Sequence, residues 1–346
     1  MAEQLKLGFV PLLDCAPLVV AREQGLFREQ GLNVVLSREA SWSSIRDKLN
    51  YGLLDGAQML APMPLAATLG LGSPALPSCI LLSLSRNGNA ITCSVPFYQR
   101  LHEQADGETS PSALGLALRQ QLPKLGRKPV FATVYPYSNH HYLLRDWLGR
   151  SGINPDTEIE WRAIPPAQMI TALAQRQIDG YCVGEPWNSL AVLQGHGLIV
   201  APGQQLWPEV PEKVFAVTQA WAEQHPETAA ALIRALYQAC QWISRCNDKQ
   251  ALLELLALPP YLDHSLLPLL ETGYQHHWGS APLHQQFFDA QMNAPSPKQG
   301  EWLIGQMLAA GQLGAADAEL ANRRLLPQVF RIDLFERATR SMASQT

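Results

Sequence analysis

The chain has 346 residues, 47% of them apolar, and a formal net charge of −4 at pH 7. That length supports two lobes with cores of their own, and that apolar content excludes a disordered chain. The mild acidity leaves no basic footprint, so direct nucleic-acid binding by this chain has no support.

Residues 5–12 read as a buried strand, preceded only by Met1-Ala2-Glu3-Gln4. No basic segment, apolar h-region and cleavage site stand there, and no run of about 20 apolar residues follows anywhere. The expectation is a cytoplasmic protein without a membrane span. A helix carrying Leu18, Val19, Ala21 and Leu26 and a strand at 34–36 complete a βαβ opening. Ser41-Trp42-Ser43-Ser44 then begins a short helix with Ile45 and Leu49 four apart, stopped near Gly52. Residues 80–85 are a further strand, and Arg86-Asn87-Gly88-Asn89 is a turn. From Ala90 the chain is expected to cross into a second lobe. Residues 102–128 are polar surface segments around a helix near 114–122. A strand at 129–134 leads to Tyr135-Pro136-Tyr137-Ser138-Asn139-His140-His141 and a helix bearing Leu143, Leu144, Trp147 and Leu148, for which Ser138 or Asn139 is the natural N-cap. Gly197-Leu198-Ile199-Val200 is expected to return to the first lobe. Trp207 to Phe215 is a loop entering a strand, and Pro226 opens a long helix with Leu232, Leu236, Ala239 and Ile243 on one stripe. Shorter helices follow around 252–256 and 302–308, with a loop at 293–298. The tail from Arg323 is expected to strap the first lobe.

One pattern occurs twice. A helical stretch at 167–178 precedes Asp179-Gly180, a short apolar strand ending at Gly184, and Pro186. Another at 43–51 precedes Asp55-Gly56, a short strand, and Pro62. Two such units imply two similar α/β lobes, each presenting a strand end. Proline blocks further sheet pairing, so the Gly184 end leaves backbone N–H groups beside a residue without a side chain. Such an end suits a small ligand that touches the main chain, although a plain strand-to-loop exit has the same pattern.

The chemistry that is absent narrows the function. There is no G-x-x-x-x-G-K-[ST], no G-x-G-x-x-G after a strand, no H-E-x-x-H and no G-x-S-x-G. The six cysteines, Cys15, Cys79, Cys93, Cys182, Cys240 and Cys246, form no C-x-x-C pair and read as buried free thiols of a reducing compartment, with disulfides of an exported protein as the alternative. His140-His141 and His276-His277 have no cysteine or acidic partners at metal spacing, and the second pair reads as surface. No metal, cofactor or catalytic residue is predicted. His140-His141 at a helix start either caps it in solvent or points an imidazole into an anion site. Trp42, in the turn before its helix, is either local packing or a flat face for a ligand.

Several stretches together resemble a known family. Leu7-Gly8-Phe9-Val10-Pro11, Cys15-Ala16-Pro17-Leu18, Glu23-Gln24-Gly25-Leu26-Phe27, Asp55 to Pro64, Asn87-Gly88-Asn89-Ala90-Ile91 and Val183-Gly184-Glu185-Pro186-Trp187-Asn188 look like the solute-binding proteins of nitrate and bicarbonate uptake systems. The match runs in order from residue 5 to about residue 340, and its nearest branch is the NasS-type cytosolic nitrate and nitrite sensors. The resemblance implies an α/β, two-lobed, type II periplasmic-binding-protein-like fold with a ligand cleft between the lobes. Lobe I is expected at 1–89 and 197–346, and lobe II at 90–196. It also implies a nitrate shell of Trp42, Asn89, His140, Gly184 and Lys213. Asn89 departs from the Gln of the relatives, and a one-residue slip would exchange His140 for His141. Nitrate offers three acceptor oxygens and no proton, which suits an amide, an imidazole N–H, an ammonium and a backbone N–H around an aromatic face. Bicarbonate, the runner-up, needs an acceptor, and the one at hand is Glu185, expected to face away. Pyrimidine-precursor synthases share the architecture but carry a cysteine-rich iron motif that is missing here, so no enzyme is expected. The sensor branch further implies a partner: a NasT-like antiterminator with an RNA-binding domain, held without ligand and released on nitrate binding. The alternative is the solute-binding subunit of a nitrate or bicarbonate ABC transporter.

Overall fold

Short aliphatic runs between Gly, Pro and Asp form the strands of this computed structural model, which describes residues 4–246, 249–262, 285–340 and 342. In chain order they are β1 (Gln4–Phe9), β2 (Asn33–Arg38), β3 (Gly56–Leu60), β4 (Ser78–Asn87), β5 (Asn89–Ser94) and β6 (Val130–Thr133). There follow β7 (Glu160–Ala163), β8 (Gly180–Gly184), β9 (Gly197–Pro202), β10 (Pro211–Thr218) and β11 (Gln285–Gln286). Among the described residues the chain divides into two compact units, the first taking 4–86, 211–262 and 286–342, the second 87–210 and 285. The His276-His277 pair lies outside the described residues.

The first unit is built on a sheet of order β11-β4-β10-β3-β1-β2. Its β2, β1 and β3 run parallel, and β10 runs antiparallel to both β3 and β4. Helices Ala16–Glu23 and Pro226–Arg245 pack on each other. The Leu232, Leu236, Ala239 and Ile243 stripe is buried as its spacing predicts. The C-terminal tail does strap this unit. Phe330 bridges Ile80, and Phe335 on helix Ile332–Thr339 stacks edge-on against Tyr237, with centroids 5.6 Å apart.

The second unit repeats the plan in a sheet of order β7-β6-β8-β5-β9, with β7, β6 and β8 parallel and β5 antiparallel to β8 and β9. Its core is largely aliphatic around an aromatic group, in which Phe131 meets Trp147 at 6.4 Å and Phe97 at 6.2 Å between centroids. The expected crossing points are corrected here. Asn89 begins β5 and pairs with Gly184, so it belongs to the second unit. The run at 197–200 stays there too, because β9 pairs along β5. The chain returns only at Pro211, as β10 begins. Within 102–128, helix Pro111–Gln121 stands where a helix near 114–122 was expected and buries Leu114 and Leu118, and the end of helix Val95–Gln104 runs into the start of that stretch.

The Asp-Gly repeat has a physical cause. Asp55 N donates to Lys6 O at 2.9 Å, and Lys6 N donates to Asp55 Oδ2 at 2.7 Å. Asp179 does the same to the strand beside it: its N reaches Val130 O at 2.8 Å, and Val130 N reaches its Oδ2 at 2.8 Å. Each Asp thus caps the neighbouring parallel strand and fixes the register of its own. Each Gly follows because no Cβ fits. At Gly56 one would lie 2.8 Å from Phe215 Cζ, and at Gly180 2.6 Å from Phe131 Cε1. No described helix is long and apolar enough to cross a membrane.

Candidate functional site

The repeat places the candidate residues. β3 and β8 hold the same position in their sheets, and each ends just before a proline. Opposite the last residue of β3 stands Lys213, and opposite the last residue of β8 stands Asn89. The bonds just beyond match as well: Ala61 N donates to Glu212 O at 3.1 Å, and Glu185 N to Gly88 O at 2.8 Å. Two candidates from distant parts of the sequence therefore occupy one topological place in two units.

In the first unit Lys213 and Trp42 come together. Trp42 starts helix Trp42–Asn50, capped by Ser41, whose Oγ accepts from Ser44 N. It is therefore the first helical residue rather than part of the preceding turn. The Lys213 ammonium lies 5.4 Å from the centroid of the Trp42 ring, within cation–π range. Both side chains are wholly buried. Lys213 is also engaged by carboxylates, 2.8 Å from Asp14 Oδ2 and 2.6 Å from Glu212 Oε1. Burial alone would push its pKa down; the two carboxylates outweigh burial and hold it above the usual lysine value. Asp14 is held in turn: Gln58 Nε2 donates to its Oδ1 at 2.5 Å, and Val10 N donates to Gln58 Oε1 at 3.1 Å. The relay from backbone through amide and carboxylate to ammonium fixes Lys213 in one place. Beside it, among the described residues, the Trp42 indole N–H and the hydroxyls of Ser83 and Ser85 are buried without a hydrogen-bond partner. Ser85 is the register partner of Lys213 on β4.

In the second unit the sheet brings Asn89 and Gly184 together. The bond from Glu185 N to Gly88 O makes Gly184 and Asn89 a non-hydrogen-bonded pair of the antiparallel ladder. The Gly184 N–H therefore points away from β5, to the side of β6, beyond the last β6–β8 pair at Thr133 and Cys182. The Asn89 amide lies over Gly203, where a Cβ would stand 1.9 Å from Asn89 Oδ1. His140 enters from the segment after β6, in the first turn of helix Asn139–Arg150, which packs on β8. Ser138 is the N-cap, its Oγ accepting from His141 N at 3.1 Å. The two histidines differ in surroundings. His140 is wholly buried, whereas the His141 ring lies 4.7 Å from that of Trp161. Burial, with Arg145 nearby, pushes the His141 pKa down to about 4. Glu185 is buried at the strand end, its Oε2 accepting from Ser189 N at 3.2 Å.

Sequence reasoning missed Asp14, Gln58 and Glu212. A signal existed for Asp14, a lone acid inside the apolar run from Leu12 to Val20, which demands a buried partner. The cysteines are free, and burial pushes the thiols of Cys15, Cys79, Cys93 and Cys240 up, away from thiolate chemistry.

The model of the NMT1-like family matches residues 2–257. The chain belongs to this family. It is 39% identical to the nitrate import ATP-binding protein NrtC of Synechocystis sp. over 98% of its own length and 50% of that protein. It is 30% identical to the nitrate/nitrite binding protein NrtA of Nostoc sp., over 97% of this chain and 77% of that one. The chain thus spans about half the length of the first of these relatives. The crystal structure of the periplasmic nitrate-binding protein NrtA from Synechocystis superposes with a TM-score of 0.87 at 27% identity, covering 99% of this chain and 90% of that one. The fold is that of the periplasmic binding proteins, as the resemblance implied.

Proposed function

We infer that this chain is a binding protein for nitrate or nitrite, not an enzyme, with Trp42, Asn89, His140, Gly184 and Lys213 as the ligand residues that the resemblance implies. The observation that carries this reading is the Trp42 indole N–H, buried without an acceptor beside a buried ammonium. A buried donor left unpaired costs about 1–3 kcal/mol, which an acceptor anion removes. Support also comes from the names of the relatives and from the outward N–H at Gly184. The shell offers donors, which suits a proton-free anion.

The same reading takes the protein as a cytoplasmic sensor that holds a NasT-like antiterminator with an RNA-binding domain and releases it on nitrate binding, controlling nitrate assimilation genes. The sensor role rests on the sequence resemblance. The relatives, a nitrate import ATP-binding protein and a nitrate/nitrite binding protein, fit sensing and delivery about equally. The chain itself has no G-x-x-x-x-G-K-[ST], so that loop is not what it shares with the ATP-binding protein. A second reading, the solute-binding subunit of a nitrate or bicarbonate transporter, is favoured by the match along 77% of a nitrate/nitrite binding protein.

Release requires that nitrate and the partner prefer different states of the sensor, and by linkage each must weaken the other's binding by one factor. The test is co-purification of the two proteins with and without nitrate, beside calorimetry with nitrate, nitrite and bicarbonate. The sensor reading predicts a complex that nitrate dissolves. A complex that nitrate leaves intact ends the release model, and saturable bicarbonate binding without nitrate binding favours the transport reading.

A further inference from the structure

The end of β8 carries a carboxyl that the proposed shell does not use. Glu185 follows Gly184 directly and is 1% exposed. Its Oε2 accepts from Ser189 N, but its Oε1 has no hydrogen-bond partner among the described residues. Its backbone N–H is tied to Gly88 O, one residue before Asn89, so its main chain is held to both strands that carry Gly184 and Asn89, while its carboxyl reaches the first turn of the next helix at Ser189.

Among the described residues no cationic side chain is paired with it. The Asn188 amide is mostly engaged elsewhere, its Oδ1 accepting from Thr92 Oγ1 and one Nδ2 hydrogen going to Val183 O, each at 2.8 Å, which leaves its second N–H to face the carboxyl. The Tyr181 hydroxyl donates to Trp187 O at 2.9 Å. The helices Trp187–Leu193 and Met169–Ala174 and the strands β6 and β9 bring no ionisable side chain. β8 contributes Tyr181 and Cys182, and β5 contributes Cys93. From helix Asn139–Arg150 come His140 and His141, with Arg145 bound to Asp156 at 2.7 Å and Arg150 to Asp146 at 2.9 Å. Asp179 and its Arg127 partner stand at the opposite end of β8. Burial pushes the Glu185 pKa up to about 7, against hydrogen bonding from Ser189 and Asn188.

The geometry points to Glu185 as the proton-coupling residue of this strand end: a proton-free anion held at Gly184 and Asn89 arrives together with one solvent proton, which goes onto the Glu185 carboxyl. The inference rests on the anion reading above. The reason is electrostatic. An anion at Gly184 places a second negative charge one residue from a buried carboxyl with one oxygen unpaired, and a nearby like charge disfavours the carboxylate. Binding raises the carboxyl's pKa further, so by linkage affinity must fall as pH rises above the ligand-free value. The steepest slope is tenfold per pH unit, for one proton per anion. Glu185 then also discriminates between ligands. As a neutral acid it donates to nitrate or nitrite; as a carboxylate it accepts from an anion that carries its own proton, such as bicarbonate.

The experiment is calorimetry of nitrate on the full chain from pH 6 to pH 9, in pairs of buffers with different ionisation enthalpy, for wild type and Glu185→Gln. The expected wild-type result is uptake approaching one proton per nitrate around pH 8 and an affinity that falls up to tenfold per pH unit above pH 7. Glu185→Gln should bind nitrate with no uptake and no slope in that range. A second arm needs no variant activity: the infrared band of a protonated buried carboxyl should fade as ligand-free wild type passes neutrality and persist to higher pH with nitrate. A nitrate isotherm with flat affinity between pH 7 and pH 9 overturns the inference alone, as does a slope that survives in Glu185→Gln. No nitrate or nitrite isotherm at any pH overturns the anion reading, and this inference with it.

Discussion

Replacing Lys213 with Met tests how the first unit is held together. The methionine keeps most of the stem's packing and removes the ammonium, which stands 2.8 Å from Asp14 Oδ2 and 2.6 Å from Glu212 Oε1. All three side chains are buried at 1% exposure or less. Breaking a buried pair by removing one partner costs about 3–5 kcal/mol, because it strands charge in the interior. Two carboxylates share this ammonium, so the cost should sit in that range. Chemical unfolding followed by tryptophan fluorescence measures it. The deficit should be largest at neutral pH and shrink as pH falls into the carboxylate range, where protonation removes the stranded charge. Adding Glu212→Gln should restore part of the loss. A Lys213→Met protein within about 1 kcal/mol of wild type at pH 7 would refute the reasoning. The variant should also lose about 2–4 kcal/mol of nitrate affinity, from the range for truncating one partner of a buried charge pair. Asp14→Asn, which leaves the ammonium, separates that loss from damage to the fold.

Glu185→Gln should stabilise the protein near neutrality. A folded pKa raised from 4.5 to about 7 means that stability is lost as pH climbs through that window, by about 3 kcal/mol in all. The variant's advantage in urea should therefore be present at pH 7.5 and absent at pH 4.5, and an equal effect at both would contradict the assignment. Gly203→Ala puts a Cβ 1.9 Å from Asn89 Oδ1 and 2.9 Å from Asn89 O, so it should cost about 1–3 kcal/mol in thermal unfolding; an unchanged midpoint would contradict the close approach. Trp42→Phe keeps a ring and removes the N–H, so nitrate affinity should fall by about 1.5–3 kcal/mol in calorimetry, and unchanged affinity would remove Trp42 from the shell. His140→Ala should still co-purify with the antiterminator but no longer release it with nitrate; normal release would exclude His140 from the coupling.

The two-unit plan was legible because the Asp-Gly repeat is a local device: the carboxylate caps the adjacent strand and the glycine avoids a neighbouring side chain, so both leave a mark in the sequence. The boundaries were not. Asn87-Gly88 reads as a turn that ends a lobe, yet β5 starts directly after it, and its pairing with β8 and β9 depends on partners about a hundred residues away. No local pattern reveals which sheet a short apolar strand will join. The same limit explains the site. Trp42, Asn89, His140, Gly184 and Lys213 came from resemblance, whereas Asp14, Gln58 and Glu212 gather around Lys213 only because β3, β10 and the segment after β1 are brought side by side. The burial of Glu185 was not legible either, since it depends on the backbone bond to Gly88 and on Ser189 in the next helix, whose N–H its carboxyl accepts from.

The most direct measurement of anion binding is a nitrogen–proton correlation spectrum of the indole region during nitrate titration. Nine tryptophans give nine candidate signals, and the signal missing from Trp42→Phe is that of Trp42. The account predicts that this signal moves on nitrate addition, saturates at one nitrate per chain and stays still with an equal concentration of chloride. A Trp42 signal unmoved by nitrate or nitrite, or shifted equally by chloride, would contradict it.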